Sequence, residues 1–310
     1  MASAMRHLRL LTACLSILLL ALPAEAWGAA GHRIVAAIAY DQLKPNTRAR
    51  VDALIKAHPD YARFVQGAPE DPGARAREAF IAASVWADNI KGDPRFYDET
   101  RKDAKPTPQL PGFPTMERHT HWHYYDMPYT PDGAAPKKPD EENALTEVSR
   151  MIKEIGHAPV ETAAYDLPWI EHIVGDLGQP LHDVSMILKS LPDGDQGGNL
   201  VFIAPRGNLH SLWDGAPGQD TSDAAIDAAE KAAIAAYPAP PRIEKNPKKW
   251  IQEGYHAAVT NVYTFGFQTG SRDHPITLPA NYGVDARKFA EGRIALAGYR
   301  LAAVLNDKLR

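Results

Sequence analysis

Residues 171–182, EHIVGDLGQPLH, restrict the fold of this chain more than any other stretch. Written as a helix, they stack His172 and Asp176, four residues apart, on one face. Their Cβ atoms are then about 5–6 Å from one another, close enough to grip one metal ion. Gly178 and Pro180 predict the stop, because Pro180 has no N–H to continue the ladder and biases Gln179 towards an extended backbone. That turn brings His182 back beside the helix end, in reach of a neighbouring ion. His210 and Asp214, in NLHSLWD, repeat the four-residue spacing. A single His-x-x-x-Asp arises readily by chance. Two of them, the first followed six residues on by another histidine, point to a carboxylate and imidazole metal centre.

Residues 1–26 read as a secretory signal peptide: Arg6 and Arg9 ahead of an apolar run at 10–22 too short to span a bilayer, then Ala24-Glu25-Ala26 as the cleavage site. Leu11-Thr12-Ala13-Cys14 has the look of a lipidation box, but it precedes the apolar run instead of following it. The expectation is a secreted or periplasmic protein with no membrane anchor. Cleavage leaves 284 of 310 residues, beginning at Trp27, enough for one large core. The one cysteine, Cys14, leaves with the leader, so packing and metal must hold an exported, disulfide-free chain together. Losing Arg6, Arg9 and Glu25 takes 34 basic and 38 acidic residues to 32 and 37, which is no basic glove for nucleic acid. Three divalent ions against three ligand aspartates would nonetheless make a local positive centre in an acidic protein.

Residues 27–43 carry helical periodicity with Ile34, Val35, Ile38 and Leu43 on one side. His32 alone suits a solvated helix face. It also stands five residues after Trp27, whose free amine and carbonyl could serve the same ion once the leader is gone. Helices are predicted over 46–58 and 75–90, the second carrying Asp88 near its end. After a proline-bearing loop, HTHWHYYDMP alternates His119, His121 and His123 as an extended segment would, all to one side, with one of them the expected ligand. Helices follow over 141–155, with Leu145, Val148, Met151, Ile152 and Ile155 at core spacing, and from Leu167-Pro168 onward, proline being tolerated in a first turn. The stretch 183–209 is turn-rich, with one short apolar run as the only strand candidate and Gly197 and Gly198 as either a loose surface loop or a place where the backbone approaches a ligand closely. Helical pattern returns over 224–237, 246–265 and 285–309, so the fold is mainly α and single-domain, with long loops and at most a short β-hairpin.

Nine metal-ligand candidates emerge: Trp27, His32, Asp88, His123, His172, Asp176, His182, His210 and Asp214. Five histidines, three aspartates and a free terminus suit borderline ions such as zinc. The ordered motifs W-G-x-x-G-H, W-A-D, H-Y-x-D-x-P, H-x-x-x-D-x-x-Q-P-L-H, G-G-N and N-L-H-x-x-W-D resemble those of the S-one/P-one nucleases, from Trp27 to the final helix. That resemblance implies a helical fold of the zinc phospholipase C and single-strand nuclease type, with three zinc ions. Asp88, His123, His172 and Asp176 would hold one ion, Trp27, His32 and a bridging Asp176 its neighbour, and His182, His210 and Asp214 the third. It further implies that Tyr124 stacks on a nucleobase, Asp126 bonds to its edge, and Lys91 and Asn199 lie near the phosphate. His119 and His121 match no position of the pattern.

The implied reaction is hydrolysis of single-stranded DNA and RNA at the P–O3′ bond to give 5′-phosphorylated products, with 3′-nucleotidase activity, low sequence specificity and a monomeric enzyme. The lack of disulfides departs from fungal and plant relatives and suits a bacterial-type exported member. Zinc-dependent phospholipase C, acting on phospholipid head groups, is the nearest alternative, but its last ligand pair is His-x-x-x-Glu where this chain has His210 and Asp214. A closed zinc-storage protein would use the same ligands without hydrolysis.

Overall fold

The computed structural model describes residues 27–310, so the expected leader at 1–26 lies outside the described residues. The first layer is α1 (Ala29–Asp41), α2 (Pro45–Ala57), the single turn α3 (Tyr61–Phe64), α4 (Pro72–Ala83) and α5 (Trp86–Gly92). Next come α6 (Ala144–Glu154), α7 (Val160–Asp176) and the short α8 (Leu209–Asp214). The chain finishes with α9 (Asp223–Ala236), α10 (Pro247–Ala257) and the long α11 (Tyr282–Lys308). Strands are almost lacking among the described residues. β1 (Pro128–Tyr129) and β2 (Ser185–Met186) pair in parallel, not as the hairpin the sequence allowed. Parallel pairing needs a crossover, and here α6 and α7 supply it.

The fold closes around α7, which packs against α1, α2, α5, α6 and α11. From Ala163 to Asp176 every residue of α7 is buried, including Pro168. The expected start at Leu167-Pro168 is therefore wrong: the helix begins at Val160, behind Pro159, and Pro168 lies inside it. A proline inside a helix removes one ladder bond and crowds the preceding turn, at roughly 3 kcal/mol. Enclosure by neighbouring helices, α4 among them, offsets that.

Two other expectations need correction. Residues 75–90 form two helices, broken at Ser84 and Val85, because the Ser84 hydroxyl turns back to donate to Ile81 O (2.7 Å). The 119–123 stretch is also not extended. His119 adopts left-handed backbone (φ 49°) and residues Thr120–His123 coil into a 3₁₀ turn, so the three histidines point to different places.

The main apolar cluster spans α1, α2, α4 to α7 and α11, with Ile34, Val35, Ile38 and Leu43 in it as their spacing predicted. The amphipathic α6 presents Val148, Met151 and Ile152 to this core. Its start is fixed by a capping box, in which Asn143 accepts from Leu145 N (2.9 Å) and Thr146 N (3.1 Å) while Thr146 Oγ1 accepts from Asn143 N (3.0 Å). A smaller cluster, including Leu181, Val184, Met186, Leu209 and Trp213, lies under the loops that follow α7. No helix among the described residues is long and apolar enough to cross a membrane.

Candidate metal centre

Where α7 ends, it meets α1, the first turn of α5 and the 3₁₀ turn at residues Thr120–His123, and five histidine and aspartate side chains converge at its last two turns. His172 is oriented by the helix break: its Nδ1 donates to Ser84 O (2.8 Å), which leaves Nε2 as a bare lone pair in the neutral ring. That nitrogen faces His123 Nδ1 at 3.0 Å, Asp176 Oδ2 at 3.4 Å and Asp88 Oδ1 at 3.5 Å. His32 enters from α1 and stacks flat on His172, with ring centroids 3.9 Å apart. A β-carbon at Gly175 would sit 2.7 Å from His32 Nδ1, so no side chain fits there while the imidazole stays.

Asp176 divides its oxygens. Oδ1 lies 3.3 Å from His32 Nε2, and Oδ2 lies 3.2 Å from His123 Nδ1. One carboxylate thus faces two neighbouring ligand sets, His32 with His172 and Asp176, and Asp88 with His123 and His172.

The third set lies beyond the stop in α7. His182 and His210 face one another through their Nε2 atoms at 3.1 Å, and Asp214 Oδ2 is 3.5 Å from His210 Nε2. Both rings donate Nδ1–H to backbone carbonyls, His182 to His123 O and His210 to Gly197 O, each at 2.6 Å. When both rings are neutral, two lone pairs meet across that gap. Such an arrangement is repulsive by itself and fits a cation placed between them. Local chemistry explains the placement: Asn208 caps α8 by accepting from Ser211 N (2.7 Å), and Gly197, with φ 59°, approaches Leu181 O so closely that a β-carbon would lie 2.4 Å from it. Gly197 is thus not a loose loop, and what its backbone approaches closely is the chain's own Leu181 carbonyl.

Burial dominates the electrostatics. It pushes His32 down to about 4 and, helped by Lys91 at His123 and by His210 at His182, holds those two well below the usual histidine value. The rings are neutral donors of lone pairs at pH 7. Burial also raises Asp176 to about 8 and Asp214 well above the carboxylate range. At Asp88 burial pushes the same way, but Lys91, His172 and His123 outweigh it and hold the group well below its usual value. Several buried atoms have no hydrogen-bond partner: both nitrogens of His32, Nε2 of His123, Oδ2 of Asp88 and Oδ1 of Asp176. Neutral imidazoles beside unsatisfied carboxylate oxygens are the donor set a divalent ion requires.

Trp27 is fully buried, its side chain against Gly31 and its Nε1 3.2 Å from where a β-carbon at Gly178 would be. Gly28 N donates to Asp214 O (2.9 Å), so the start of the described chain lies beside the third set. Lys91 Nζ bonds Asp88 Oδ1 at 2.6 Å, on the rim of the first sets. Tyr124 and Asp126 follow His123 on partly covered backbone, and burial, then Asp195, raises Asp126 to about 7. Asn199 is half-buried in the loop over His210, donating to Gln196 O (2.9 Å). His119 and His121 do not join the cluster: His119 stacks on Trp122 at 3.7 Å, and His121 faces Asp140 at the surface.

Two residues about the centre have no role in the sequence reading. Arg293 of α11 donates from Nε to Gly178 O (2.8 Å) and from Nη2 to Leu177 O (3.2 Å), satisfying carbonyls that α7 leaves open. Gln179 bonds Asp214. Arg293 has no local sequence signal; Gln179 stands in the quoted motif, without a task.

No curated protein matched the chain. Residues 27–310, all of the described span, match the family described as S1/P1 Nuclease, and the chain therefore belongs to that family: it is a nuclease, a hydrolase whose substrate is nucleic acid.

Proposed function

We propose that the chain is a zinc-dependent phosphodiesterase that cuts single-stranded DNA and RNA at the P–O3′ bond and removes the phosphate from 3′-nucleotides. The observation that carries this reading is the divided carboxylate of Asp176, with Oδ1 towards His32 and Oδ2 towards His123, since a bridge of that kind belongs to a pair of ions held close together. Asp88, His123, His172 and Asp176 would hold one zinc, and His32, Asp176 and the amine and carbonyl of Trp27 the second. His182, His210 and Asp214 would hold the third. When bound, such ions supply a water whose pKa falls from 15.7 to about 7 and a Lewis acid for charge on the phosphate oxygens.

The protein's own groups do the rest. Asp88 is ionised, a bound ion would hold Asp176 ionised beside it, and His32, His123 and His182 are neutral, so the loaded centre would keep a net positive charge for a phosphodiester. Lys91, held at Asp88 by its 2.6 Å ion pair, adds an ammonium on the rim, where a phosphate oxygen would compete for it. Asn199, next in sequence to Gly198, would offer its side-chain amide to the phosphate. Tyr124 presents a ring to one unstacked base, and Asp126 accepts from that base's edge. A base within a duplex must first leave its stack to lie there, which favours single strands. Export after removal of residues 1–26, and a free amine on Trp27, complete the reading.

One preparation tests it. The mature protein is analysed for metal, then assayed on single-stranded DNA, duplex DNA, a 3′-mononucleotide and phosphatidylcholine, before and after chelation and with one residue added ahead of Trp27. Three ions per chain, activity on the first and third substrates, and recovery with zinc are expected. Full activity with an extended terminus, a single ion per chain, or cleavage of the phospholipid alone overturns it.

A further inference from the structure

We infer that Gln179 is a positioning residue that sets the affinity of the third ion site by fixing two of its ligands at once. This rests on the three-ion reading above and adds a task for a residue that touches neither ion nor substrate.

Gln179 is fully buried, in the turn between Asp176, the last residue of α7, and His182. Its two ends do different work. Nε2 donates to Asp214 Oδ1 at 2.9 Å, while Oε1 accepts from Leu181 N at 2.7 Å. The amide cannot be turned round, because swapping its ends would set an oxygen against the carboxylate and an NH₂ against the Leu181 N–H. Both bonds bear on the site. The Asp214 bond takes Oδ1 out of competition, so that Oδ2, 3.5 Å from His210 Nε2, is the oxygen aimed between the histidines. The Leu181 bond caps the 3₁₀ turn Pro180–Asp183, and that turn carries His182. Asp214 and His182 lie on separate segments 32 positions apart, and one side chain holds both.

Without the Gln179 donor the Asp214 carboxylate would be free to rotate, and Oδ2 would no longer be held towards His210. Orienting partners of this kind are worth about 10–100-fold in metal affinity.

The test counts ions and does not depend on turnover. Gln179→Met keeps the length and apolar bulk of the side chain while deleting both hydrogen bonds; Gln179→Asn keeps the amide on a stem one methylene shorter and serves if the first variant folds poorly. Metal-free mature protein is titrated with cobalt(II) and with zinc(II), with the cobalt d–d absorption reporting the coordination of each ion. Wild type is expected to bind three ions. In both variants two ions should bind as in wild type, the third at least tenfold more weakly, with its band shifted. The two undisturbed ions certify the fold. A third ion bound at wild-type affinity in both variants overturns the inference. So does equal weakening of all three, which would mean a general loss of structure. Fewer than three ions in the wild-type arm overturns the three-ion reading itself, and is seen before any variant is compared.

Discussion

The two ends of the centre are built in opposite ways. Around Asp176, the ligand side chains come from four separate elements, α1, α5, α7 and the 3₁₀ turn before β1, and they are enclosed by the main apolar core. Around His182, all three side chains lie between positions 182 and 214, in turns and the short α8 over the smaller cluster, with Gln179 and the Gly197 carbonyl orienting them locally and the His123 carbonyl reaching in from the 3₁₀ turn. The first end is specified by tertiary packing, down to the missing side chain at Gly175. The second is specified by hydrogen bonds to carbonyls and by capping. Packing makes a site rigid as a unit, whereas bonded turns can be disturbed one at a time. The paired ions should therefore stand or fall together, and the third should be separable.

The severest trial of that contrast is Asp176→Asn. Losing the shared carboxylate should remove both paired ions, leave one per chain, and lower kcat/KM on single-stranded DNA by about a thousandfold or more; metal analysis showing two retained ions would break the comparison. His210→Ala should take away one ion only and reduce kcat by about a hundredfold, with the pair intact by the same count. Tyr124→Ala touches the segment between the two ends. It should raise KM on oligonucleotides roughly tenfold, given a stacking contribution of about 1–3 kcal/mol per base, without changing the ion count. An unaltered KM would remove Tyr124 from the base site.

The smallest effect concerns the melting temperature of chelated protein. Folded Asp176 keeps its proton up to about pH 8, against a usual 3.8, so folding takes up a proton in that range and stability falls as pH rises. His32 and His58, both lowered to about 4, act the other way, but only below their usual 6.5. Between pH 6.5 and 8 the carboxyl trend stands alone, with Asp126 and Glu230, each raised to about 7, adding to it. The metal-free protein should lose on the order of 2–6 °C across that window. Zinc-loaded protein should show no such slope, because the ion keeps Asp176 ionised; a flat profile for the metal-free form would contradict the burial argument.

Much of this centre was legible beforehand because its chemistry is local. The spacing of His172 and Asp176, the stop at Gly178 and Pro180, and the repeat at His210 and Asp214 are all short-range patterns, and the structure brings the eight side chains together in three sets. What could not be read was set by distant neighbours. Pro168 looked like a first-turn residue because nothing in its vicinity reveals the six helices that pack on α7. The alternation of His119, His121 and His123 looked extended, yet His119 turns left-handed and stacks on Trp122, which coils the segment and aims only His123 inward. Arg293 reaches back across 115 positions to Gly178, a partnership that no window of sequence contains.

That last contact makes the ligand segments depend on a distant part of the chain. Every imidazole and carboxylate of the three sets has been synthesised by position 214, but the carbonyls at the end of α7 wait for a guanidinium that arrives near the carboxyl terminus. A polypeptide stopped short of residue 293 would contain the whole ligand inventory around an unfastened joint. The seat of the bridging carboxylate is thus fastened from α11, by a residue far outside the segments that carry the ligands.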